Sequence, residues 1–456
     1  MSLAPPARRA TPVQELSQES TQRTRREVFC ELMLPAGAAL TAMAAVGFDP
    51  AAAFARLAAA GERAGDPLAA ASDESFWFEV QQAFTPDRTI LNLNNGGVSP
   101  SPRVVQEAMK RHLDVANTAT AYTLWQLQEP QKEGVRQQLA ALFGCDGEEL
   151  AIVRNASEGL ENCLCGVDFA PGDEVLTTTQ DYPRMLTTLR QRERRDGIVL
   201  KTFAIPIPCE TPEEIVELYR RNLTARTRMI LASHVINITG QILPIREIVR
   251  LGREHGLPVV VDGAHAFAHF PFAHADLECD YYATSLHKWL FAPHGTGMLF
   301  VRRDRIRGLW PLMAAPVEMD ADIRKFEEIG THPAANILAI AEAVAFHSGV
   351  GAERKAARLR FLRDRWARPL VEDRRVLLHT SLDPRFACGV ATVQIQGVDS
   401  AKLAQHLWNR QRIFVVAIQH AEFEGIRVTP SVYTLPGEID RFRGAMEEVL
   451  AKGLPA

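Results

Sequence analysis

The sequence predicts an α/β protein: a large domain on a mostly parallel, seven-stranded sheet, followed by a smaller α+β domain at the C-terminus. Two observations predict it. Short apolar runs bounded by turn residues, from Glu149–Val153 to Gly297–Val301, alternate with helical patterns, and helices between such runs cover both faces of a parallel sheet. After Gly330 the order changes to one long helical stretch, Ala334 to about Glu372, then two apolar runs and a last helix from Gly437. Composition agrees, since 456 residues with 46% hydrophobic and 23% charged side chains make a globular balance of two or three domains' size. A net charge of −4 offers no basic surface to nucleic acid, and seven cysteines are too sparse for a disulfide scaffold.

In chain order, the first element is an address rather than a folded unit. It covers residues 1–50, with an end that could reach about residue 70. Up to Glu31 the chain is rich in Pro, Ser, Thr and Gln, and its positive charges include Arg8, Arg9, Arg23, Arg25 and Arg26. Leu32 to Phe48 then carries no charge, and a positive segment before a short apolar one describes an export signal. Thr24-Arg25-Arg26, followed by Val28 and Phe29, resembles the twin-arginine signal, which implies the twin-arginine translocation machinery as a partner and a periplasmic or secreted location. Ala51–Ala53, Ala58–Ala60 and Ala69–Ala71 each offer small residues for cleavage.

The ordered pattern begins at Phe76. Residues 76–330 form the large domain, with 76–100 able to pack on the small one, and residues 331–456 form the small domain. Strands are expected at Glu149–Val153, Glu174–Thr178, Ile198–Ala204, Met229–His234, Pro258–Asp262, Tyr281–Thr284 and Gly297–Val301. Helices are expected at Arg103–Val115, Gln131–Phe143, Pro183–Arg195, Pro212–Asn222 and Ile245–His255. In the small domain, Ala391–Gln396 and Ile413–Ala417 are the expected strands.

The chemistry-bearing residues fall at the ends of these runs. Lys288 follows Tyr281–Thr284 and stands among Leu286, Trp289, Leu290 and Phe291, a setting that desolvates the ammonium and makes the amine nucleophilic. Asp262 ends Val259-Val260-Val261, at the carboxyl end of a buried strand where parallel sheets bind ligands, and His265 sits at the same mouth. A carboxylate there can keep a pyridine nitrogen protonated. Asn155-Ala156-Ser157-Glu158-Gly159 opens a helix, whose free N–H groups and positive end suit a phosphate; Ser157 is equally explained as a plain N-cap. Tyr182 places a ring between a strand and a helix, where it could stack on a flat ligand.

The order of Asn155–Gly159, Tyr182, Ser233–Gly240, Val261–His265 and Ser285–Lys288 resembles the class V aminotransferase family, fold-type I enzymes that depend on pyridoxal 5′-phosphate (PLP). Within it the chain looks most like the isopenicillin N epimerase-like branch, to which Asn92–Gly97 also fits, and the resemblance runs from about residue 76 to the C-terminus. It implies that Lys288 holds PLP as an internal aldimine and shuttles the α-proton, and that Asp262 salt-bridges the pyridinium. Ser157, Ser285 and His287 would bind the phosphate with N–H groups of the turn from Ala156, and Tyr182 would stack on the ring. Asn237 and His265 would approach the ring hydroxyl; relatives often carry Gln at the latter position, so His265 is expected to titrate near neutrality and add acid–base chemistry. Thr331 resembles the segment that reaches the phosphate of a neighbouring subunit, which implies a homodimer. Arg427 resembles the arginine that grips the substrate carboxylate, and Asn95 is placed with it at the substrate. No metal is implied.

Fold alone does not settle the reaction. Cysteine desulfurases need a nucleophilic Cys on a small-domain loop before the substrate arginine, and Val416 to Gly425 has none, which argues against that mechanism. Cys388, Cys163 and Cys165 read as core residues. The leading expectation is an exported aminotransferase-family enzyme acting at Cα of a small amino acid or peptide-like substrate. An epimerase or C–S lyase is the alternative, and the intact Lys288–Asp262 pair argues against a non-catalytic binding protein.

Overall fold

The computed structural model describes residues 49–454. The twin-arginine stretch lies outside the described residues. Among the described residues, helix is already present from Pro50, ahead of the Phe76 at which the ordered pattern was expected to begin. Helices α1 (Pro50–Ala64) and α2 (Glu74–Gln82) bury Phe54, Leu57, Phe76 and Trp77. Asp73 caps α2 by accepting from Ser75 N–H, and Trp77 Nε1 donates to Ala70 O at 2.7 Å. The short strand β1 (Leu91–Asn92) then leads into α3 (Arg103–Ala116) and α4 (Lys132–Phe143), which stops at the left-handed Gly144.

The large sheet takes β2 (Leu150–Val153), β3 (Glu174–Thr178), β4 (Val199–Phe203), β5 (Thr227–Ser233), β6 (Val259–Asp262), β7 (Tyr281–Ser285) and β8 (Gly297–Val301). Their order is β2-β8-β7-β6-β5-β3-β4, and β8 runs against its two neighbours while β4, β3, β5, β6 and β7 pair in parallel. Helices α5 (Ala156–Gly166), α6 (Pro183–Asp196), α7 (Pro212–Asn222) and α8 (Ile245–Glu254) connect the parallel strands. Strands β5 to β7 are buried almost throughout because both faces are covered, which is why Val259-Val260-Val261 shows no alternation. Helix α5 lies close on the sheet: a Cβ on Gly159 would come within 2.7 Å of Ala283 Cβ.

The long helix expected from Ala334 to Glu372 is instead broken. Helices α9 (Ile340–Val350) and α10 (Ala352–Leu370) meet at Gly351, whose φ of +86° leaves the helical region, and the axis turns by 74°. The small-domain sheet is antiparallel, ordered β12-β13-β10-β9, from β9 (Val376–Leu378), β10 (Ala391–Ile395), β12 (Val416–Gln419) and β13 (Glu424–Val428). The single run expected at Ile413–Ala417 is two strands with different partners. Strand β11 (Ile413–Phe414) pairs in parallel with β1, so Leu91 faces Ile413, while β12 pairs with β13. Helices α11 (Ser400–Gln411) and α12 (Pro436–Lys452) join α10 in burying this sheet over Trp366, Leu403, Ile426 and Phe442.

Candidate active site

The carboxyl ends of β5, β6 and β7 and the start of α5 bring most of the chemistry together, where open α/β sheets bind their ligands. Ser285 closes β7, and its Oγ accepts from Ala156 N–H at 3.0 Å, tying that strand end to the first turn of α5. Asn155, not Ser157, caps that helix: its side chain accepts from Glu158 N–H at 2.9 Å. The Ser157 hydroxyl therefore stands in the first turn without serving as the cap, beside the helix's positive end. His287 is oriented by Nδ1 on Thr296 O at 3.1 Å, and burial pushes it down to about 4.

Asp262 ends β6, is only 6% exposed, and accepts from Ala264 N–H at 2.9 Å. Burial raises it to about 6, against the pull of that N–H and of the Lys288 ammonium, so it is ionised at neutral pH. Lys288 follows β7, and its Nζ lies 3.0 Å from His265 Nε2. Burial lowers the lysine to about 8, opposed by Asp262 and aided by Arg427.

His265 does not titrate near neutrality as its sequence position suggested. Burial comes first, then Lys288, Arg427 and His269, and together they hold it well below the ordinary imidazole range. It is a neutral ring whose Nε2 accepts from the Lys288 ammonium, which puts its own proton on Nδ1. Behind it His269 stacks on Trp289 at 3.7 Å, meets His265 O through Nδ1 at 2.7 Å, and accepts from Gly389 N–H in the small domain at 2.9 Å. Sequence reading missed His269, because its stacking partner Trp289 and its donor Gly389 lie about twenty and more than a hundred residues away, beyond any local pattern.

Arg427 comes from β13 and is 7% exposed. Its Nη1 donates to Asn237 O and its Nη2 to Asn94 Oδ1, both at 2.9 Å. Burial lowers it to about 10 while nearby Tyr182 pulls the other way, so it remains a cation. The structure places Asn94 at the arginine where Asn95 was expected. Asn95 is fully buried and its amide is spent on Asn92 O, Thr429 O and the Tyr433 hydroxyl. Neighbours in an extended segment point to opposite sides, so the run of three asparagines in Asn92–Asn95 left the choice open. Tyr182 sits at the start of α6 with its ring 37% exposed. Thr331 is exposed on the surface of its own chain.

Asn237 Oδ1, His265 Nδ1 and Arg427 Nε are buried without a protein partner. Buried polar atoms are normally satisfied, so these three, on Arg427, on its partner Asn237 and on the lysine's partner His265, fit a polar ligand. With Asp262 for a ring nitrogen, the α5 N-terminus for a phosphate and a nucleophilic lysine between them, the donor set fits PLP.

Comparison with known proteins agrees. The aminotransferase class-V family model matches residues 90–430. Isopenicillin N epimerase of Streptomyces clavuligerus is 31% identical over 398 residues, 81% of this chain and 98% of that protein. A putative L-cysteine desulfhydrase of Oryza sativa is 29% identical over 53% of each chain. Among solved structures, a cysteine desulfurase of Escherichia coli superposes with a TM-score of 0.72 at 19% identity, covering 82% of this chain and 98% of that one. A cystine C–S lyase with its product cysteine persulfide gives 0.69 at 24% identity, over 78% and 97%. These two likenesses concern the fold, which is that of fold-type I. The chain belongs to the class V aminotransferase family of PLP-dependent enzymes.

Proposed function

We propose that this enzyme takes the Cα proton of an α-amino acid or peptide-like substrate and returns a proton to the opposite face, an epimerisation. One observation carries the reading: a lysine held by a neutral histidine at 3.0 Å, in a site where a buried arginine waits for a carboxylate. PLP, when bound, supplies an electron sink for charge developing at Cα. Asp262 would hold its ring nitrogen, Ser157, Ser285, His287 and the Ala156 N–H its phosphate, and Asn237 and His265 its ring hydroxyl, with Tyr182 on the ring face. Arg427, steadied by Asn94 and Asn237, binds the substrate carboxylate and fixes which bond at Cα faces Lys288. Lys288 Nζ takes the proton, and His265 Nε2 holds the amine in position. Tyr182 is the donor for the other face. Similarity along 98% of an isopenicillin N epimerase supports this outcome.

Transamination is the second reading, since it begins with the same removal of the Cα proton by Lys288 and the family model that the chain matches is that of class-V aminotransferases. Turnover of candidate amino acids in D₂O separates the two. Deuterated, inverted product without keto acid is expected; keto acid would replace epimerisation by transamination, and finding neither deuterium at Cα nor keto acid would defeat both. Lys288→Ala should abolish the exchange and the visible absorption of lysine-bound PLP.

Two further readings accompany this one. Export by the twin-arginine machinery rests on Thr24-Arg25-Arg26, and R25K/R26K should remove the protein from the periplasmic fraction. A homodimer is supported by the exposed Thr331 and by exposed Tyr122, Trp125, Trp310 and Met313; light scattering at the monomer mass would reject it.

A further inference from the structure

Behind Lys288 lies a second buried lysine, which the chemistry described above does not use. Lys355, near the start of α10, is fully buried. Its Nζ donates to Trp289 O, stands 3.4 Å from His347 Nδ1 and lies over the Phe291 ring, 4.0 Å from its centre. None of these side-chain partners is an acid. An amine buried without a carboxylate costs folding energy, and burial holds Lys355 well below the ordinary lysine range. Its N–H groups can serve the carbonyl with or without the extra proton, so the contact does not depend on charge.

The break at Gly351 brings Lys355 and His347 together. Gly351 N–H donates to His347 O at 2.9 Å where α9 ends, and Lys355 N–H donates to Gly351 O at 3.0 Å where α10 starts. In an unbroken helix, residues eight apart are separated by about 12 Å along the axis, and the turn at Gly351 closes that distance. The amine then falls on a segment that needs holding. Trp289 follows Lys288 directly, and Phe291 has a φ of +63°, a left-handed conformation that a bulky residue keeps only where its surroundings impose it. Lys355 meets this segment twice, at the Trp289 carbonyl and at the Phe291 ring. The Trp289 indole stacks on His269, His269 Nδ1 meets His265 O at 2.7 Å, and His265 Nε2 meets Lys288 Nζ at 3.0 Å. Lys355 therefore reaches Lys288 by two routes, through the Lys288–Trp289 peptide and through the two imidazoles.

We infer that Lys355 is a positioning residue for Lys288: its amine, brought over by the turn at Gly351, fixes Trp289 and, through His269 and His265, the place of the reactive amine. A group held this way acts without touching the substrate or the cofactor. The inference requires only that Lys288 is the reactive lysine, and it holds for epimerisation and transamination alike.

The test uses PLP-free protein and the pH midpoint of Lys288 modification by an amine-selective reagent. Burial is the largest cause that lowers Lys288 to about 8, so the midpoint reports how firmly the amine is kept from water. Lys355→Met keeps the length of the side chain and loses the donor; Lys288 should loosen and its midpoint rise, leaving roughly threefold less free amine at pH 7. Lys355→Gln returns an N–H donor without a charge and should restore the wild-type midpoint. His269→Phe tests the same route without altering Lys355: a flat ring stays against Trp289, the bond to His265 O is lost, and the midpoint should rise. Thermal unfolding of each variant confirms that it is folded. An unmoved midpoint in folded Lys355→Met or His269→Phe, or a Gln variant shifted as far as the Met variant, would overturn the assignment. A wild-type midpoint at the ordinary ~10.4 would remove Lys288 as the reactive amine, and the assignment with it.

Discussion

Lys288 stands at the balance of opposing effects. Burial disfavours its ammonium and Arg427 adds repulsion, while Asp262 restores part of the charge, leaving it near 8. Below that value the amine is protonated and donates to His265; above it the amine is free to attack a carbonyl. In protein freed of PLP, the rate of Lys288 modification by an amine-selective reagent, followed by peptide mass spectrometry, should rise through about pH 8. An ordinary exposed lysine rises only toward ~10.4. Asp262→Asn removes the carboxylate that favours the ammonium, so its midpoint should move lower. An upward move would show that the carboxylate does not face the lysine electrostatically. The residue scale is also where sequence reading was sharpest and where it slipped. Asp262 was legible because it closes an apolar run, and Lys288 because it follows one among bulky apolar neighbours, while Ser285 was named only by the family resemblance. His265 was legible as a member of the site but not in its protonation, because its partners Lys288, Arg427 and His269 converge only in the fold.

At the scale of elements, punctuation carried most of the boundaries. Pro183 opens α6 and left-handed Gly197 closes it; Pro212 opens α7 and Pro436 opens α12. The same rule undid the single helix drawn through Gly351, since a glycine inside an apolar helical pattern shows its φ only in the structure. What no local pattern announces is the charge network fastening α4 to the segment before the small domain. Arg136, 1% exposed, bonds Leu150 O at 2.7 Å and the Glu327 carboxylate, which is itself 8% exposed and accepts from Ile152 N–H at 2.6 Å. Glu133 pairs with Arg324 and Arg136 from the rim and is drawn down to about 2. Truncating one partner of a buried pair leaves the other charge uncompensated, so Glu327→Ala should cost about 3 kcal/mol in denaturant unfolding. Lys110→Ala, which removes an exposed pair with Glu107, should stay within about 0.5 kcal/mol. Similar values for the two would show that burial does not set the strength of the Glu327 network.

At the scale of the whole molecule, the small domain is fastened to the large one in two different ways. Along β10 the fastening is backbone-tight: Thr392 Oγ1 donates to Ile238 O at 2.6 Å, Gly389 N–H reaches His269, and a Cβ on Gly240 would meet Val390 O at 2.1 Å. Arg427 is anchored there too, through Asn237 O. At the tip of the β12–β13 hairpin the fastening is made mainly by side chains. Glu422 accepts from Thr179 Oγ1 and from Gln180 Nε2, the latter at 2.8 Å, and His420 Nε2 meets Thr179 O at 3.0 Å. These bonds hold the hairpin over the turn that carries Tyr182, in the stretch where a cysteine desulfurase would present its cysteine. Close backbone approach resists local opening and partly exposed side-chain bonds do not, so any opening should start at the hairpin tip and leave Arg427 in place. Glu422→Ala should therefore speed amide hydrogen exchange in residues 419–424 and 179–182 by at least ~10-fold, about 1.4 kcal/mol of local stability. Exchange along β10 should be unaltered, and Tm should move by no more than about 3 °C. Faster exchange spread evenly over both attachments would mean that the domains separate as a unit, and that the hairpin is no independent flap over the site.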